Sequence, residues 1–153
     1  GTRPVAFAEA VAGAIALVRG ASCAATIDIH ARLVVDHGQV DASTHEVFQV
    51  LSHLVANAAR AMDGVGVVDI QLERAELAAG DHFRMTVADT GRGMDTDTLA
   101  HLSAPFPLAK SAERQAGLGL SLVRHLVTRW QGALEVSSLP GRGTTITLSV
   151  PVL

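Results

Sequence analysis

An aspartate, Asp89, ends an apolar run in the stretch VADTGRGMD, with Gly91 and Gly93 following at one-residue spacing. An ionised carboxylate accepts hydrogen bonds and donates none, so at the end of a buried strand it would bind an amine and repel a carbonyl oxygen. Glycine lacks a Cβ and lets the backbone turn sharply or come close to a bound group. A plain strand-end turn uses the same residue types. In HLVANAAR, Asn57 stands inside a helical pattern that asparagine supports poorly. Its amide oxygen is a hard neutral ligand of the kind Mg²⁺ accepts beside waters and phosphate oxygens. His53 precedes Asn57 and Arg60 follows it, each by about one turn. In AGLGLSLV, Gly117 and Gly119 open another helix, where free N–H groups and the positive dipole end make an anion site. Glycines needed for close helix packing are the plainer reading.

These groups need elements to hold them. Val5 to Val18 is an Ala-rich run that reads as a packed helix, because Glu9 interrupts it and it falls short of the roughly 20 residues that span a bilayer. It has neither the basic start nor the processing site of a signal peptide. Thr26 to His30 and Arg32 to Val35 alternate as two short strands, and DHGQVDAS supplies turn chemistry. From Ser43 to Met62, Val47, Val50, Leu51, Leu54, Val55 and Ala58 recur at helical spacing, with Ser43 and Glu46 as a capping box. Val65 to Leu77 and His82 to Ala88 predict strands joined around AAGD. Asp95 to Ala116 holds two prolines and no sustained period, so it predicts a long loop that needs a functional reason. Gly117 to Trp130 is helical, and Ala133 to Ser138 and Thr144 to Val150 close the chain as strands around LPGRG. This order predicts an α/β fold, a two-layer sandwich of a mixed β-sheet with helices on one face.

A length of 153 residues and 48% hydrophobic content suffice for one domain with its own core. With four Phe, one Trp and no Tyr, that core must be mainly Val, Leu, Ile and Ala. A net charge of −3 without a Lys/Arg cluster argues against nucleic acid as a partner. The single Cys23 cannot form an internal disulfide and no Cys/His group has zinc spacing, which fits a reducing cytoplasm. No membrane contact by this domain is expected.

Taken in order, HLVANAAR, DTGRGM, PFPLAKS, AGLGLSLV and PGRGTTITLSVP resemble the Bergerat-type ATP-binding fold shared by histidine kinases, DNA gyrase, HSP90 and MutL. The resemblance is above all to the catalytic ATP-binding domain of sensor histidine kinases, over roughly residues 43–151. It implies one catalytic domain over residues 1–153, with an ATP lid at 95–116. It implies that Asp89, Gly91, Gly93 and Met94 bind adenine, with Thr144 or Thr145 supporting Asp89 through a water. It also implies that Asn57 ligates Mg²⁺ and that Gly117, Leu118, Gly119 and Leu120 bind phosphates. Arg60 stands where the family commonly has a lysine near the phosphates, and Lys110 matches a lid lysine that reaches the γ-phosphate. For each, a solvated surface residue is the alternative. Phe106 takes the place of a lid phenylalanine, and Gly141 and Gly143 serve the turn more than the ligand.

Two departures matter. His53 stands where typical sensor kinases carry asparagine and the gyrase and MutL branches carry a glutamate that activates water, while chemotaxis histidine kinases carry histidine. The missing glutamate argues against an ATP hydrolase. It leaves His53 either as a base for the attacking nucleophile or as a group that bonds phosphate or water. Gln115 and Ala116 replace the usual Gly-Thr, which removes a hinge and a hydroxyl from the lid.

Histidine kinases phosphorylate a histidine, flagged by His-Glu, a basic residue and proline, on a separate helical hairpin. None of His30, His37, His45, His82, His101 or His125 sits in such a sequence, and His45 with Glu46 falls at a helix cap. The implied function is the ATP half of a protein-histidine kinase, using ATP and Mg²⁺, with little turnover in isolation. Its implied partners are the dimerisation and histidine-phosphoacceptor domain of the same kinase and a response regulator downstream. It would be cytoplasmic even where the parent is membrane-anchored. A stand-alone serine kinase and binding module of the anti-sigma type, or a degenerate nucleotide-binding scaffold, are the alternatives.

Overall fold

The computed structural model describes residues 4–20, 26–63, 65–78, 80–91, 120–138 and 141–153. Strand β1 (Val5–Ala6) leads into helix α1 (Phe7–Arg19), followed by β2 (Ile27–Leu33), β3 (Gln39–Val40) and α2 (Thr44–Ala61). Then come β4 (Gly66–Leu77), β5 (Gly80–Asp89), α3 (Ser121–Arg129), β6 (Ala133–Ser138) and β7 (Thr144–Pro151). Five strands form a sheet in the order β2-β4-β5-β7-β6, while β1 and β3 pair as a separate ribbon. Only β2 and β4 run parallel; the other neighbours in the large sheet are antiparallel.

One face of this sheet carries the core. Along β7, Thr144, Ile146, Leu148 and Val150 are buried while Thr145, Thr147 and Ser149 are half-exposed, the period-two alternation of a sheet covered on one side. Val68, Ile70, Phe83, Met85 and Leu148 from the strands join Phe7, Val11, Leu51, Leu54 and Leu126 from the helices in one buried cluster. The expected mixed sheet with helices on one face is what the chain builds. Its scarce aromatics meet inside it: Phe7 lies 5.5 Å from Phe83 and edge-on to Trp130 at 6.2 Å, ring centre to ring centre.

Helix α2 starts where its sequence says it should. Ser43 Oγ accepts from the Glu46 N–H at 3.1 Å, and Glu46 Oε1 accepts from the Ser43 N–H at 3.1 Å. Glu46 is buried and does more than cap. Its Oε2 accepts from Arg129 at 2.9 Å and its Oε1 from the Trp130 indole at 3.4 Å, tying the start of α2 to the end of α3.

The structure differs from the expectation in three places. Thr26 to Val35 gives one strand, β2, because Ala31 keeps Ile27, Ile29 and Leu33 in phase on one side while Asp28, His30 and Arg32 stay exposed. The β1–β3 ribbon was not expected, since strands of two residues are too short to show a period. It delays α1 to Phe7, because Val5 and Ala6 are paired with Val40 and Gln39. Cys23 and the stretch 95–116 lie outside the described residues. Among the described residues, no helix is long and apolar enough to cross a membrane.

Candidate functional site

Strand β5 delivers Asp89 in the same phase as the buried Phe83, Met85 and Val87. Asp89 Oδ1 accepts two backbone N–H groups, from Gly91 at 2.8 Å and from Thr144 at 3.2 Å. Oδ2 has no such partner among the described residues. Burial raises the carboxyl pKa above its ordinary value, more than the Gly91 and Thr144 N–H groups lower it. The group is therefore a half-buried carboxylate with one oxygen fixed by the backbone and the other without a partner among the described residues.

Glycines on both sides make this possible. A Cβ on Gly91 would stand 2.7 Å from both the Cβ and the carbonyl oxygen of Ala61, at the end of α2. The close approach at Gly91 is thus to the helix, which seats the Asp89 turn beside the last turns of α2. Gly143 has φ +82, and a Cβ there would meet the Asp89 carbonyl oxygen at 2.0 Å. Gly141 has φ +74 with nothing nearby, so it is a turn glycine as expected, whereas Gly143 serves both the turn and the contact with Asp89.

Helix α2, whose last turn meets Gly91 at Ala61, carries Asn57 about one turn and His53 about two turns before that contact. Asn57 is buried, and its Oδ1 accepts from the Arg60 guanidinium one turn on. Asn57 Nδ2 and His53 Nε2 are both buried and without hydrogen-bond partners among the described residues. Protein interiors rarely leave polar atoms so, and these two lie one turn apart on one helix. The amide oxygen of Asn57 has a second lone pair beyond the one Arg60 takes. No group of three His, Cys, Asp or Glu that could hold a metal occurs among the described residues. A divalent cation such as Mg²⁺, which keeps several waters and takes substrate phosphate oxygens, would find one neutral protein oxygen here, Asn57 Oδ1.

The two threonines separate. Thr144 lies on the core face, its N–H on Asp89, while the strand alternation puts Thr145 on the opposite face. Leu120 stands at the N-cap of α3 with its side chain fully buried in the core and its carbonyl accepting from the Arg124 N–H, so only its backbone is offered at the helix start. Gly93, Met94, Lys110, Gly117, Leu118 and Gly119, with Phe106, Gln115 and Ala116, lie outside the described residues. One buried residue beside the site, Ser138, was not expected, although the alternation of β6 held a signal that could have found it.

Residues 42–153 match the sequence pattern of the histidine kinase-, DNA gyrase B- and HSP90-like ATPase family. The chain belongs to this family. Within it, the relatives include histidine kinases. Histidine protein kinase DivJ of Caulobacter vibrioides is 33% identical over 148 residues, which cover 95% of this chain and 24% of DivJ. The non-motile and phage-resistance protein of the same organism is 35% identical over 146 residues, covering 91% of this chain and 17% of that protein. The chain therefore spans a quarter or less of the length of these curated relatives. Among solved structures, the catalytic domain of histidine kinase ThkA superposes with a TM-score of 0.74 at 20% identity, over 99% of this chain and 95% of that one. Full-length ShkA in complex with AMPPNP gives 0.72 at 24% identity, over 98% of this chain and 31% of that one. The fold of this family member is that of a histidine kinase ATP-binding catalytic domain.

Proposed function

We propose that this domain binds Mg²⁺·ATP and, within a longer cytoplasmic or membrane-anchored kinase, gives up the γ-phosphoryl group to a histidine on a separate helical domain. A response regulator would then take the phosphoryl group on. The observation that carries this reading is the state of Asp89: Oδ1 is filled by the Gly91 and Thr144 N–H groups, and Oδ2 has no partner among the described residues. Such an oxygen suits the exocyclic amine of adenine and rejects the carbonyl of guanine.

The phosphates would extend from Asp89 toward α2. Asn57 Oδ1 would hold Mg²⁺, whose charge offsets that of the phosphates when bound. Arg60, one turn from Asn57, adds a positive charge next to that oxygen. Gly117, Leu118 and Gly119 at the helix start, Gly93 and Met94 beside the base, and Lys110 at the γ-phosphate complete the proposed set by family resemblance. In transfer, a ring nitrogen of the acceptor histidine bonds to the γ-phosphorus as the bond to the bridging oxygen of ADP breaks. His53 Nε2, buried and without a hydrogen-bond partner among the described residues, would bond the γ-phosphate or accept the acceptor's ring proton.

Calorimetric titration of the chain with Mg²⁺·ATP and Mg²⁺·GTP, beside the Asp89→Asn variant, tests the site. Saturable binding of ATP alone, lost in the variant, supports it; no binding, or equal binding of both nucleotides, refutes it. Acid-labile phosphate appearing on the acceptor domain of the longer protein tests the transfer.

A further inference from the structure

Ser138 is the last residue of β6, and it is buried, 7% exposed, while its neighbour Ser137 is exposed on the other face of the strand. In the β6–β7 register Ser138 sits opposite Thr144, whose N–H reaches on to Asp89 at the end of β5. The three residues form a row across three adjacent strands. Ser138 Oγ lies 2.9 Å from the Gly143 carbonyl oxygen, to which it donates, and 3.0 Å from Thr144 Oγ1. A hydroxyl has one hydrogen. With the Ser138 hydrogen on Gly143, Thr144 is the donor between the two hydroxyls.

The Gly143 carbonyl and the Thr144 N–H belong to one peptide unit. That unit is planar and trans, with its C=O and N–H on opposite sides, so a bond that fixes one fixes the direction of the other. Ser138 holds the carbonyl side, and the N–H side meets Asp89 Oδ1. Gly143 brings this plane against the Asp89 backbone so closely that no Cβ fits between them.

We infer that Ser138 is a positioning residue for base recognition: by fixing the Gly143–Thr144 peptide plane it sets the rotation of the Asp89 carboxylate, and so the purine edge that Oδ2 accepts. The inference rests on the nucleotide-site reading above. Ser138→Ala leaves the Gly143 carbonyl without its buried partner, so the plane can tilt, Asp89 can turn, and the difference between an amine and a carbonyl on the purine fades. A merely structural serine would lower stability and weaken all nucleotides alike.

The test compares wild type, Ser138→Ala and Ser137→Ala, each titrated by calorimetry with Mg²⁺·ATP and Mg²⁺·ITP well below its thermal midpoint. ITP carries a carbonyl where ATP carries the amine. Wild type and Ser137→Ala should share one ATP-over-ITP preference, and Ser138→Ala should lose about tenfold of it, as expected for one buried hydrogen bond. An unchanged ratio, or equal weakening of both nucleotides, would overturn the inference. Should Ser138→Ala not fold, Ser138→Cys is titrated instead; it keeps a side-chain donor, though a weak one on a larger atom, and its ratio is judged in the same way. A wild type that does not prefer ATP would overturn the nucleotide-site reading, and this inference with it.

Discussion

Gly91 and Ala61 are packed so tightly that a single added carbon at Gly91 would lie 2.7 Å from the Ala61 carbonyl oxygen. That contact joins the turn carrying Asp89 to the helix carrying Asn57. Gly91→Ala should therefore push the two apart, at a cost of about 1–3 kcal/mol typical of overpacking. Thermal unfolding should show a lowered midpoint, and Mg²⁺·ATP affinity should fall at temperatures where the variant is still folded. Stability loss with unchanged affinity would show that the contact does not align the two halves of the site.

Two nearby glycines should respond differently to the same change. Gly141→Ala meets nothing within 4 Å and carries only the strain of a left-handed backbone, about 1–2 kcal/mol. Gly143→Ala adds a direct clash with the Asp89 carbonyl, which should bring the loss to more than about 2 kcal/mol. Denaturant melts of both variants check the order, and Gly143→Ala should also lose nucleotide binding.

Asp89 should tie both stability and binding to pH. Burial raises its folded-state pKa above the ordinary value of 3.8, so the native state holds its proton more tightly than the unfolded chain does. The stabilising contribution is present in full below that ordinary value and is lost as pH rises through the raised one. Asp89→Asn should remove this slope and be more stable than wild type at neutral pH, read by denaturant unfolding across the acid range. Binding has the opposite sense: acceptance of the adenine amine needs the ionised form, so ATP affinity should fall as pH drops through the raised pKa.

Glu46 should matter far more than its partner Arg129. The Glu46 side chain is 9% exposed and that of Arg129 is 52% exposed. Arg129→Ala removes a largely solvated ion pair and should cost at most about 1 kcal/mol. Glu46→Ala removes the capping box as well and leaves the Trp130 indole N–H unpaired, a loss of about 2–4 kcal/mol. Equal effects in denaturant melts would contradict this division.

His53 can be separated from binding. If its Nε2 takes a proton in transfer, His53→Gln should bind Mg²⁺·ATP within about threefold of wild type yet slow phosphorylation of the acceptor domain by about 10²-fold. An unchanged rate assigns His53 to phosphate or water bonding.

Much of the fold was legible because its signals are local. The box of Ser43 and Glu46 lies within one helical turn, and it caps α2 as read. The alternation of Thr144 to Val150 is a property of one strand, and it gave the core face of β7. The strand β2 was legible only in part, since Ala31 is too small to announce an inward position, and the two-residue ribbon strands carry no period at all.

For the site, the sequence by itself determined which chemistry is available: an acceptor in Asp89, a neutral oxygen in Asn57, an imidazole in His53, and glycines where the backbone must turn. Only the tertiary structure decided how these groups are held. Nothing near Glu46 in sequence foretells bonds to Arg129 and Trp130, 83 and 84 residues away. The alternation along β6 and along β7 tells Ser138 from Ser137 and Thr144 from Thr145, but that Ser138 lies opposite Thr144, and Thr144 beside Asp89, is set by how the strands pair, which no single strand carries. The carboxylate of Asp89 is oriented by an N–H 55 residues along the chain, a contact that exists because β5 and β7 pair in one register.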